Sequence, residues 1–519
     1  MISKRLLTIS VLSTLSVHAM AQGVPNIFSP DTPAKASEVN ENFDFLASNS
    51  IGANLINGEI STDVDCTSNA AALNEAYAEY VNYREINFQI KGNCYGDITV
   101  KRSFDEQNNW DNATYQVHGQ TINIYPQIDQ TAGLIPNDLS GNVAIWGSFG
   151  GGLYLNDLTI TLGSEWDYGA AYSRNGHGAV TNVTIVGPNT ANGAGIWVQE
   201  GGQVYVNGVN MSNVIWGIYA VNNATVRLLD QTTTISSQSD SIKVIAANVR
   251  QQADLFLTSE TGRSLSIESG SHWNGWGKNI TVTGGEVYVG GGSTFKNEDG
   301  GGITSSGQVN IEHSSFEATI FSSGNLMANK SNVYATNLTT GNLNLHMAKA
   351  GTENITATAL YLSNSTLHIS GGSVSGGSTI TDKSYLNANS TTFNDMSLYQ
   401  NSFLYGNGLT VNAVLGQDNS LVDLRLSTVN ADININTNST GAFHDVTFNG
   451  SSVNIDKSKA RITGSTKAPT NKLICTGLSI VEYEDVSDIL NTEPNSNCLD
   501  QSSVNTLMSI IKSNHLTPM

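Results

Sequence analysis

Residues able to carry acid–base chemistry are concentrated between positions 163 and 178, where the sequence reads GSEWDYGAAYSRNGHG. The candidates in this segment are Glu165, Asp167, Tyr172, Arg174 and His177. In a β-elimination on a uronate, Arg174 would neutralise the substrate carboxylate while Tyr172 or His177 transfers the proton. In a glycoside hydrolysis, Glu165 and Asp167 would act as the acid and base pair. The alternative is a solvated loop, so these residues are candidates without an assigned catalytic role.

The short motif Gly176-His177-Gly178 resembles the G-H-G motif of polygalacturonases. That family also carries paired aspartates upstream of the histidine and an Arg-Ile-Lys sequence downstream. This chain has no such aspartate pair before His177, and Ser241-Ile242-Lys243 stands where the arginine would be expected. It also has no aspartate cluster that resembles the calcium site of pectate lyases. The motif therefore assigns neither activity.

All seven tryptophans lie between positions 110 and 276. Trp146 and Trp166 are 20 positions apart, and Trp197 and Trp216 are 19 apart. If one coil of a repeat has about that length, each pair occupies similar positions on neighbouring coils about 4.8 Å apart. A strip of exposed rings could stack on the C–H faces of sugars, so these four tryptophans are the predicted glycan-binding residues. The alternative is that the rings fill the interior or cover a flank.

The overall composition excludes several classes of protein. The chain has 519 residues, 24 Lys and Arg against 44 Asp and Glu, and a formal net charge of −20. Only 13% of residues are charged and 39% are hydrophobic, which is unlike a disordered chain. The acidic balance argues against nucleic-acid binding, because phosphate neutralisation needs Lys and Arg. Abundant Gly, Asn, Ser and Thr with few charges favour a β-solenoid.

Short apolar strands separated by Gly, Asn and Ser turns recur between about 115 and 465. Four of them end at Phe393, Val411, Val429 and Phe448, at intervals of 18, 18 and 19 residues. Two earlier ones end at Phe295 and Phe316, 21 residues apart. These intervals predict an all-β protein with a three-sided parallel β-helix over 51–465, in which apolar side chains stack from coil to coil. Asn suits the turns because it tolerates left-handed backbone.

The segment from 64 to 100 predicts how the solenoid begins. Ser68 or Asn69 is placed to cap a helix near 68–80, whose apolar face would comprise Ala72, Leu73, Ala76 and Tyr80. A strand follows, with alternating Ile86, Phe88 and Ile90. A cysteine, a short helix and an I-x-F-x-I-x-G-x-C strand resemble the start of exported β-helices of the pectate-lyase-like superfamily. The resemblance implies that the fold is a right-handed parallel β-helix and that the helix covers the open end of the first coil.

The four cysteines allow three disulfide pairings. Closeness in sequence favours Cys66–Cys94 and Cys475–Cys498, one near each end of the solenoid. A zinc site is the alternative, but the spacings contain no C-x-x-C element. Residues 466–519 are predicted to form a disulfide-stapled C-terminal cap with a terminal helix, and dimerisation through this segment is a second interpretation.

The N-terminal residues predict export. Residues 1–21 have the features of a signal peptide: Lys4 and Arg5, an apolar stretch, and Ala19-Met20-Ala21 before the cleavage point. Residues 22–50 are predicted to form a helical head, and FSPDTPAKASEVNENF resembles a segment of exported bacterial β-rich proteins. The apolar stripe within 32–47 could associate as a homotrimer or pack on the solenoid. No later segment is apolar enough to span a membrane, so we expect an extracellular, surface or periplasmic location.

These observations favour an exported β-helix protein that binds a polysaccharide or a cell surface without catalysis, in the manner of an adhesin or a matrix-associated protein. The first alternative is a polysaccharide lyase or hydrolase that acts on an acidic glycan near residues 146–230. The second is a structural fibre. No cofactor and no metal site is predicted. Asn297-Glu298-Asp299 could bind calcium, but a turn is the expected structure there.

Overall fold

The structure is a computed structural model that describes residues 56–81, 83–96, 121–136, 146–147, 151–163, 167–188, 193–450, 452–464, 473–484 and 498–500. The chain forms two compact units. The larger comprises Glu59–Val81 and Glu85–Met519, and it contains the features discussed below. The smaller comprises Met1–Gly58 and Asn82–Arg84, of which the structure describes 56–58 and 83–84. The predicted signal peptide and helical head lie outside the described residues.

The described residues contain one helix, α1 (Ala72–Tyr80), and 45 strands. The first strands are β1 (Ile56–Asp65), β2 (Tyr83–Tyr95), β3 (Thr121–Pro126), β4 (Ala132–Ile135), β5 (Trp146–Gly147), β6 (Gly152–Asn156), β7 (Thr159–Thr161), β8 (Asp167–Tyr172), β9 (His177–Thr181), β10 (Thr184–Val186), β11 (Gly193–Val198), β12 (Gln203–Asn207), β13 (Asn210–Val214), β14 (Trp216–Val221) and β15 (Thr225–Leu229). The next are β16 (Thr233–Ser237), β17 (Ile242–Ile245), β18 (Asn248–Gln251), β19 (Leu255–Ser259), β20 (Arg263–Glu268), β21 (His272–Trp276), β22 (Asn279–Val282), β23 (Glu286–Gly290), β24 (Thr294–Ser305), β25 (Gln308–Glu312), β26 (Ser315–Asn329), β27 (Asn332–His346), β28 (Lys349–Ser363), β29 (Thr366–Ile369) and β30 (Gly372–Val374). The last are β31 (Ser378–Thr381), β32 (Tyr385–Asn389), β33 (Thr391–Leu398), β34 (Phe403–Asn407), β35 (Thr410–Gly416), β36 (Leu421–Arg425), β37 (Thr428–Val429), β38 (Ile433–Asn436), β39 (Thr440–His444), β40 (Thr447–Phe448), β41 (Val453–Asp456), β42 (Lys459–Thr463), β43 (Leu473–Thr476), β44 (Ser479–Glu484) and β45 (Cys498–Asp500).

Three parallel sheets form a β-solenoid, as the sequence predicts. Sheet I contains β2, β3, β6, β9, β12, β15, β18, β21, β29, β32, β34, β36, β39, β42, β44 and β45. Sheet II contains β4, β7, β10, β13, β16, β19, β22, β30, β37 and β40, and sheet III contains β5, β8, β11, β14, β17, β20, β23, β25, β31, β38, β41 and β43. The longer strands turn the corners, so that β26, β27 and β28 each contribute to all three sheets. Parallel pairing continues beyond residue 465: β43 and β44, which both follow this residue, pair with β41 and β42 respectively.

The interior consists of apolar residues stacked coil on coil. Phe393, Val411 and Val429 are in register on sheet II, and Phe448 follows them. Phe295 and Phe316 are likewise in register on sheet I, with stacked rings 4.6 Å apart. The intervals counted in the sequence therefore correspond to successive coils. The physical reason is the strand's two-residue period, which sends alternate side chains inward.

A column of buried serines runs along the start of sheet I, and the sequence analysis did not identify it. The Oγ of Ser293 accepts a hydrogen bond from the Ser271 amide at 3.2 Å and donates to the Gly290 carbonyl at 2.6 Å. The same pattern of an amide donating to the Oγ one coil later recurs at Ser314, Ser331, Ser365, Ser384, Ser439 and Ser458. These hydroxyls satisfy buried backbone groups that the strand ladders leave unpaired.

The turns between sheets III and I contain residues with left-handed backbone. Examples are Asn222 (φ 53°), Asn364 (φ 49°) and Asn419 (φ 62°). Asn enters this conformation more readily than most residues, because its short polar side chain can hydrogen-bond locally. Nine described asparagines have positive φ, so turns account for part of the abundance of Asn in the sequence.

The N-terminal end of the solenoid matches the prediction in part. Cys66 and Cys94 form a disulfide, and Ile86, Phe88 and Ile90 are fully buried. The list of helix core residues needs correction: α1 begins at Ala72, and its buried residues are Leu73 and Tyr77. Tyr77 replaces the predicted Tyr80 because its ring packs on Phe88 at 6.4 Å.

The C-terminal prediction lies largely outside the described residues, which include neither the predicted terminal helix nor the side chain of Cys498. Cys475 lies on β43, is fully buried and takes part in a disulfide. Its pairing with Cys498 stays a prediction. Separately, among the described residues no helix is long and apolar enough to cross a membrane.

Candidate functional site

Four aromatic side chains form a continuous cluster on the outer face of sheet III. They are Tyr168 of β8, Trp197 of β11, and Trp216 and Tyr219 of β14. The Trp197 ring is at the centre, with ring centroids 5.0 Å from Tyr168, 4.6 Å from Tyr219 and 6.3 Å from Trp216. Trp216 and Tyr219 stack with their planes 19° apart and their centroids 4.9 Å apart. We call these four residues the aromatic cluster.

Strand alternation directs Trp197 and Tyr219 outward. On β11, Ile196 and Val198 on either side of Trp197 are fully buried, and on β14 Ile218 and Ala220 flank Tyr219 in the same way. The four aromatic side chains themselves are half-buried. The rings pack against one another because a single ring cannot cover the pleated surface below it.

A small residue between the rings makes their approach possible. Ala194 of β11 is in register with Tyr168 on one side and Trp216 on the other, and it is fully buried. A larger side chain at this position would separate the neighbouring rings. Ala194 therefore serves as the floor of the cluster.

Two polar atoms in the cluster are in unusual surroundings. The indole Nε1 of Trp197 is buried and has no hydrogen-bond partner among the described residues. Burial raises the pKa of Tyr168 above its ordinary value, and the adjacent carboxylate of Asp167 and the phenol of Tyr219 add to this effect. Tyr168 therefore stays a neutral phenol at physiological pH and can both donate and accept hydrogen bonds.

The outward column that contains Trp197 and Tyr219 continues along sheet III with polar and aromatic side chains. Lys243 follows Tyr219 in register, then Ser266 and Tyr288. Lys243 forms an ion pair with Asp240 at 3.3 Å. Near Tyr288, a network of charged and polar side chains lies over the same sheet; its contacts are Arg263–Glu268, Tyr288–Glu312 and Asn310–Glu286.

The two buried acid–base candidates do not open onto this face. The carboxylate of Asp167 is fully buried and accepts hydrogen bonds from the amides of Gly163 at 2.7 Å and Tyr168 at 2.8 Å. Tyr172 lies inside the solenoid, where its hydroxyl donates to the Leu153 carbonyl at 3.1 Å. Burial raises the pKa of the Tyr172 phenol above its ordinary range. Both side chains are held by backbone groups.

The remaining acid–base candidates lie elsewhere. Arg174 is in the turn that follows β8, with φ of 49°, and its Nε is 3.4 Å from a carboxylate oxygen of Glu200. His177 begins β9 on sheet I and packs edge-on against Tyr154. Glu165 lies outside the described residues. The described candidates are therefore dispersed over the interior, a turn and a second sheet.

The predicted tryptophan strip needs correction in its register. Trp197 is in register with Tyr219, and Trp216 with Ala194, because one coil here contains 22 residues, as it does between Tyr205 and Arg227. Trp146 is in register with Ala171. The side chain of Trp146 and all of Trp166 lie outside the described residues. Trp197 and Trp216 are nevertheless in one cluster, because Trp216 reaches Tyr219.

Sequence reasoning did not select Tyr168 and Tyr219 as binding residues. Tyr219 follows Trp197 by the 22-residue interval that the structure shows, and the sequence count of 19 led to Trp216 instead. A tryptophan also occupies the interior of the solenoid. Trp273 is 1% exposed, stacks near Phe295 at 6.0 Å and donates its Nε1 hydrogen to Gln251.

The structure shows no cluster of three or more metal-binding side chains in the part of the chain that it describes. At the segment 297–299, the Asn297 side chain is buried and donates to the Lys278 carbonyl at 2.9 Å. Asp299 has φ of 60°, which is typical of a turn. The side chain of Glu298 lies outside the described residues.

Comparison of this chain with protein-family models, with curated proteins and with solved structures finds no match.

Proposed function

We propose that the protein binds a polysaccharide through the outer face of sheet III, with the aromatic cluster as the principal contact. The observation that carries the proposal is the contiguity of Tyr168, Trp197, Trp216 and Tyr219 on one outward face. Aromatic rings combine a large apolar face with polar tips, which suits the alternating C–H and hydroxyl surfaces of a sugar.

The geometry of the sheet favours a polymer over a single sugar. Successive strands of a parallel sheet are about 4.8 Å apart, so Trp197, Tyr219, Lys243 and Tyr288 lie in one column at multiples of that spacing, with the buried Ser266 between the last two. The Tyr288 hydroxyl donates to Glu312 and can in addition accept a hydrogen bond from a chain laid along the sheet. A flat surface with distributed contacts binds extended chains by summing many weak interactions.

Binding without catalysis is the function that this surface supports best. The described acid–base candidates lie in the interior, in a turn or on another sheet, so these candidates do not converge beside the aromatic cluster. Export to an oxidising compartment accompanies the proposal, because disulfides such as Cys66–Cys94 persist mainly in such compartments. Association with a cell surface or matrix, and trimerisation through 32–47, belong to the same proposal and rest on the sequence.

The test is sedimentation of the purified protein with a panel of neutral and acidic polysaccharides, combined with an assay for newly formed chain ends. Trp216→Ala and Tyr219→Ala should each weaken binding about tenfold, since each removes a stacking platform of the order of 1 kcal/mol or more. Tyr334→Ala is the matched control, because Tyr334 lies on the sheet I part of β27 and is 66% exposed.

Binding that weakens for Trp216→Ala and Tyr219→Ala but not for Tyr334→Ala would support the proposal. Release of chain ends that requires Arg174 or His177 would establish the enzyme alternative instead. If no polysaccharide sediments with the protein, the proposed function is wrong and the structural fibre remains.

A further inference from the structure

Two arginines face outward from sheet I on successive coils. Arg227 of β15 is directly in register with Arg250 of β18, so their backbones are about 4.8 Å apart. Like charges placed opposite each other destabilise a sheet. In a chain whose net charge is −20, such a pair calls for a specific physical explanation.

Among the described residues, neither Arg227 nor Arg250 forms an ion pair with a carboxylate, whereas several other cations on the solenoid do. Examples of paired cations are Arg174–Glu200, Lys243–Asp240, Arg263–Glu268, Arg425–Asp423 and Lys459–Glu482. Adjacent positive charge on this part of sheet I is therefore left for an external anion.

Aromatic rings hold both guanidinium groups in place. The guanidinium carbon of Arg250 lies 3.6 Å from the ring centroid of Trp276, and that of Arg227 lies 5.2 Å from the ring centroid of Tyr205. Arg227 also donates from Nη1 to the Tyr205 hydroxyl at 3.2 Å. Contact with a ring occupies a guanidinium face and leaves its N–H edge able to donate to an anion.

Arg250 is also positioned at some expense of stability. Its Nε is buried and has no hydrogen-bond partner among the described residues. A buried donor without a partner is unfavourable, and such local conflicts are expected mainly at functional sites.

We propose that Arg227 and Arg250 together bind a tetrahedral oxyanion, namely a sulfate or phosphate ester on a glycan. A planar carboxylate offers its two oxygens to one guanidinium edge. Two guanidinium groups on successive coils are better bridged by an anion whose oxygens do not lie in one plane. The site is on sheet I and thus separate from the aromatic cluster on sheet III, and it adds a charged ligand group to the proposed function.

The experiment measures the affinity of the full chain for dextran sulfate, dextran phosphate, unmodified dextran and polygalacturonate by titration calorimetry. A salt concentration of about 0.15 M limits repulsion by distant carboxylates, since the Debye length is then about 8 Å. We expect one of the two dextran esters to bind more tightly than unmodified dextran and polygalacturonate. The ester with the higher affinity identifies the anion.

Charge-removing variants locate the site. Arg227→Gln and Arg250→Gln should each lower the affinity for the preferred ester about tenfold, and the double variant should lower it about a hundredfold. Arg250→Lys should fall between Arg250→Gln and the parent, because it keeps the charge but loses the planar fork. Arg425→Gln is the matched control: Arg425 also contacts a tyrosine ring, at 5.1 Å, but is paired with Asp423.

Three results would overturn this assignment: equal losses in Arg425→Gln and the two site variants, tighter binding of polygalacturonate than of either ester, or no binding of either ester. The variants must melt at the temperature of the parent for the comparison to hold, and Arg250→Lys supplies the comparison if Arg250→Gln does not fold. If the proposed function is wrong but this assignment is right, the result is different. Trp216→Ala would then leave polysaccharide binding unchanged, while the arginine variants would still lower it.

Discussion

Trp197 lies directly in register with Tyr219 of the next coil, and the centroids of their rings are 4.6 Å apart at an interplanar angle of 56°. The pair joins two coils through side chains in addition to the backbone ladder. It also connects β11 with β14 on the outer face of sheet III.

The Trp197–Tyr219 contact should contribute measurably to stability. A double-mutant cycle with Trp197→Ala and Tyr219→Ala should give a coupling free energy of about 0.5–1.5 kcal/mol, as expected for a tilted aromatic pair. The measurement is urea unfolding of the parent, both single variants and the double variant. A cycle between Trp197 and Tyr288 is the control, because four coil steps separate them in the same column. Equal coupling in both cycles would contradict the prediction.

The serine column should stabilise the solenoid through its hydroxyl groups. Ser293→Ala removes both the acceptor of the Ser271 amide and the donor to the Gly290 carbonyl. We expect a loss of about 1–3 kcal/mol in the free energy of unfolding, because buried backbone groups are left without partners. Chemical denaturation measures the loss.

The same column suggests a stabilising substitution. Ala348 occupies a buried position in the column between Ser331 and Ser365, and its amide donates to the Ser365 hydroxyl. Ala348→Ser would add a hydroxyl at the one interruption between those serines and should raise the free energy of unfolding by about 0.5–1.5 kcal/mol. Lower stability of Ala348→Ser than of the parent would show that the site has no room for the hydroxyl.

The disulfide near the N-terminal end should stabilise the first coil. Cys66 and Cys94 are 28 residues apart in sequence. Replacing both by Ser should lower the free energy of unfolding by about 2–4 kcal/mol, since the crosslink restricts the unfolded chain. The double variant is preferred over a reductant, because Cys475 is also in a disulfide. An unchanged melting temperature would mean that the crosslink does not stabilise the first coil.

Stability should decline at alkaline pH through Tyr172. Burial, with a further contribution from Tyr154, raises the pKa of the Tyr172 phenol, whereas an unfolded tyrosine titrates near pH 10. The folded state therefore retains its proton when the unfolded state has lost it. The stabilisation is complete below about pH 10 and is lost as the pH rises above it, at up to about 1.4 kcal/mol per pH unit.

The Tyr172→Phe variant isolates this effect. It should show a smaller decline in unfolding free energy between about pH 9 and 11 than the parent, as measured by urea titration at each pH. At neutral pH it should be less stable by about 0.5–1.5 kcal/mol, because the hydrogen bond to the Leu153 carbonyl is lost. Identical alkaline slopes for the two proteins would exclude Tyr172 as the source.

Local patterns in the sequence were sufficient for much of the fold. The alternation at Ile86, Phe88 and Ile90 predicted an inward face, and all three are buried. The interval between Phe295 and Phe316 predicted one coil, and their rings stack. Such predictions succeed because strand alternation has a period of two residues and burial selects one face.

The tertiary structure decided which side chains meet across coils. Coil length is 22 residues between Tyr205 and Arg227 but 17 between Ser314 and Ser331, because the turns between the sheets differ in length. The partner of Trp197 and the adjacency of Arg227 and Arg250 depend on the summed lengths of three turns. The sequence of a strand determines only which of its side chains face inward and which face outward. Which residues lie beside it in the next coil depends on the length of the complete coil.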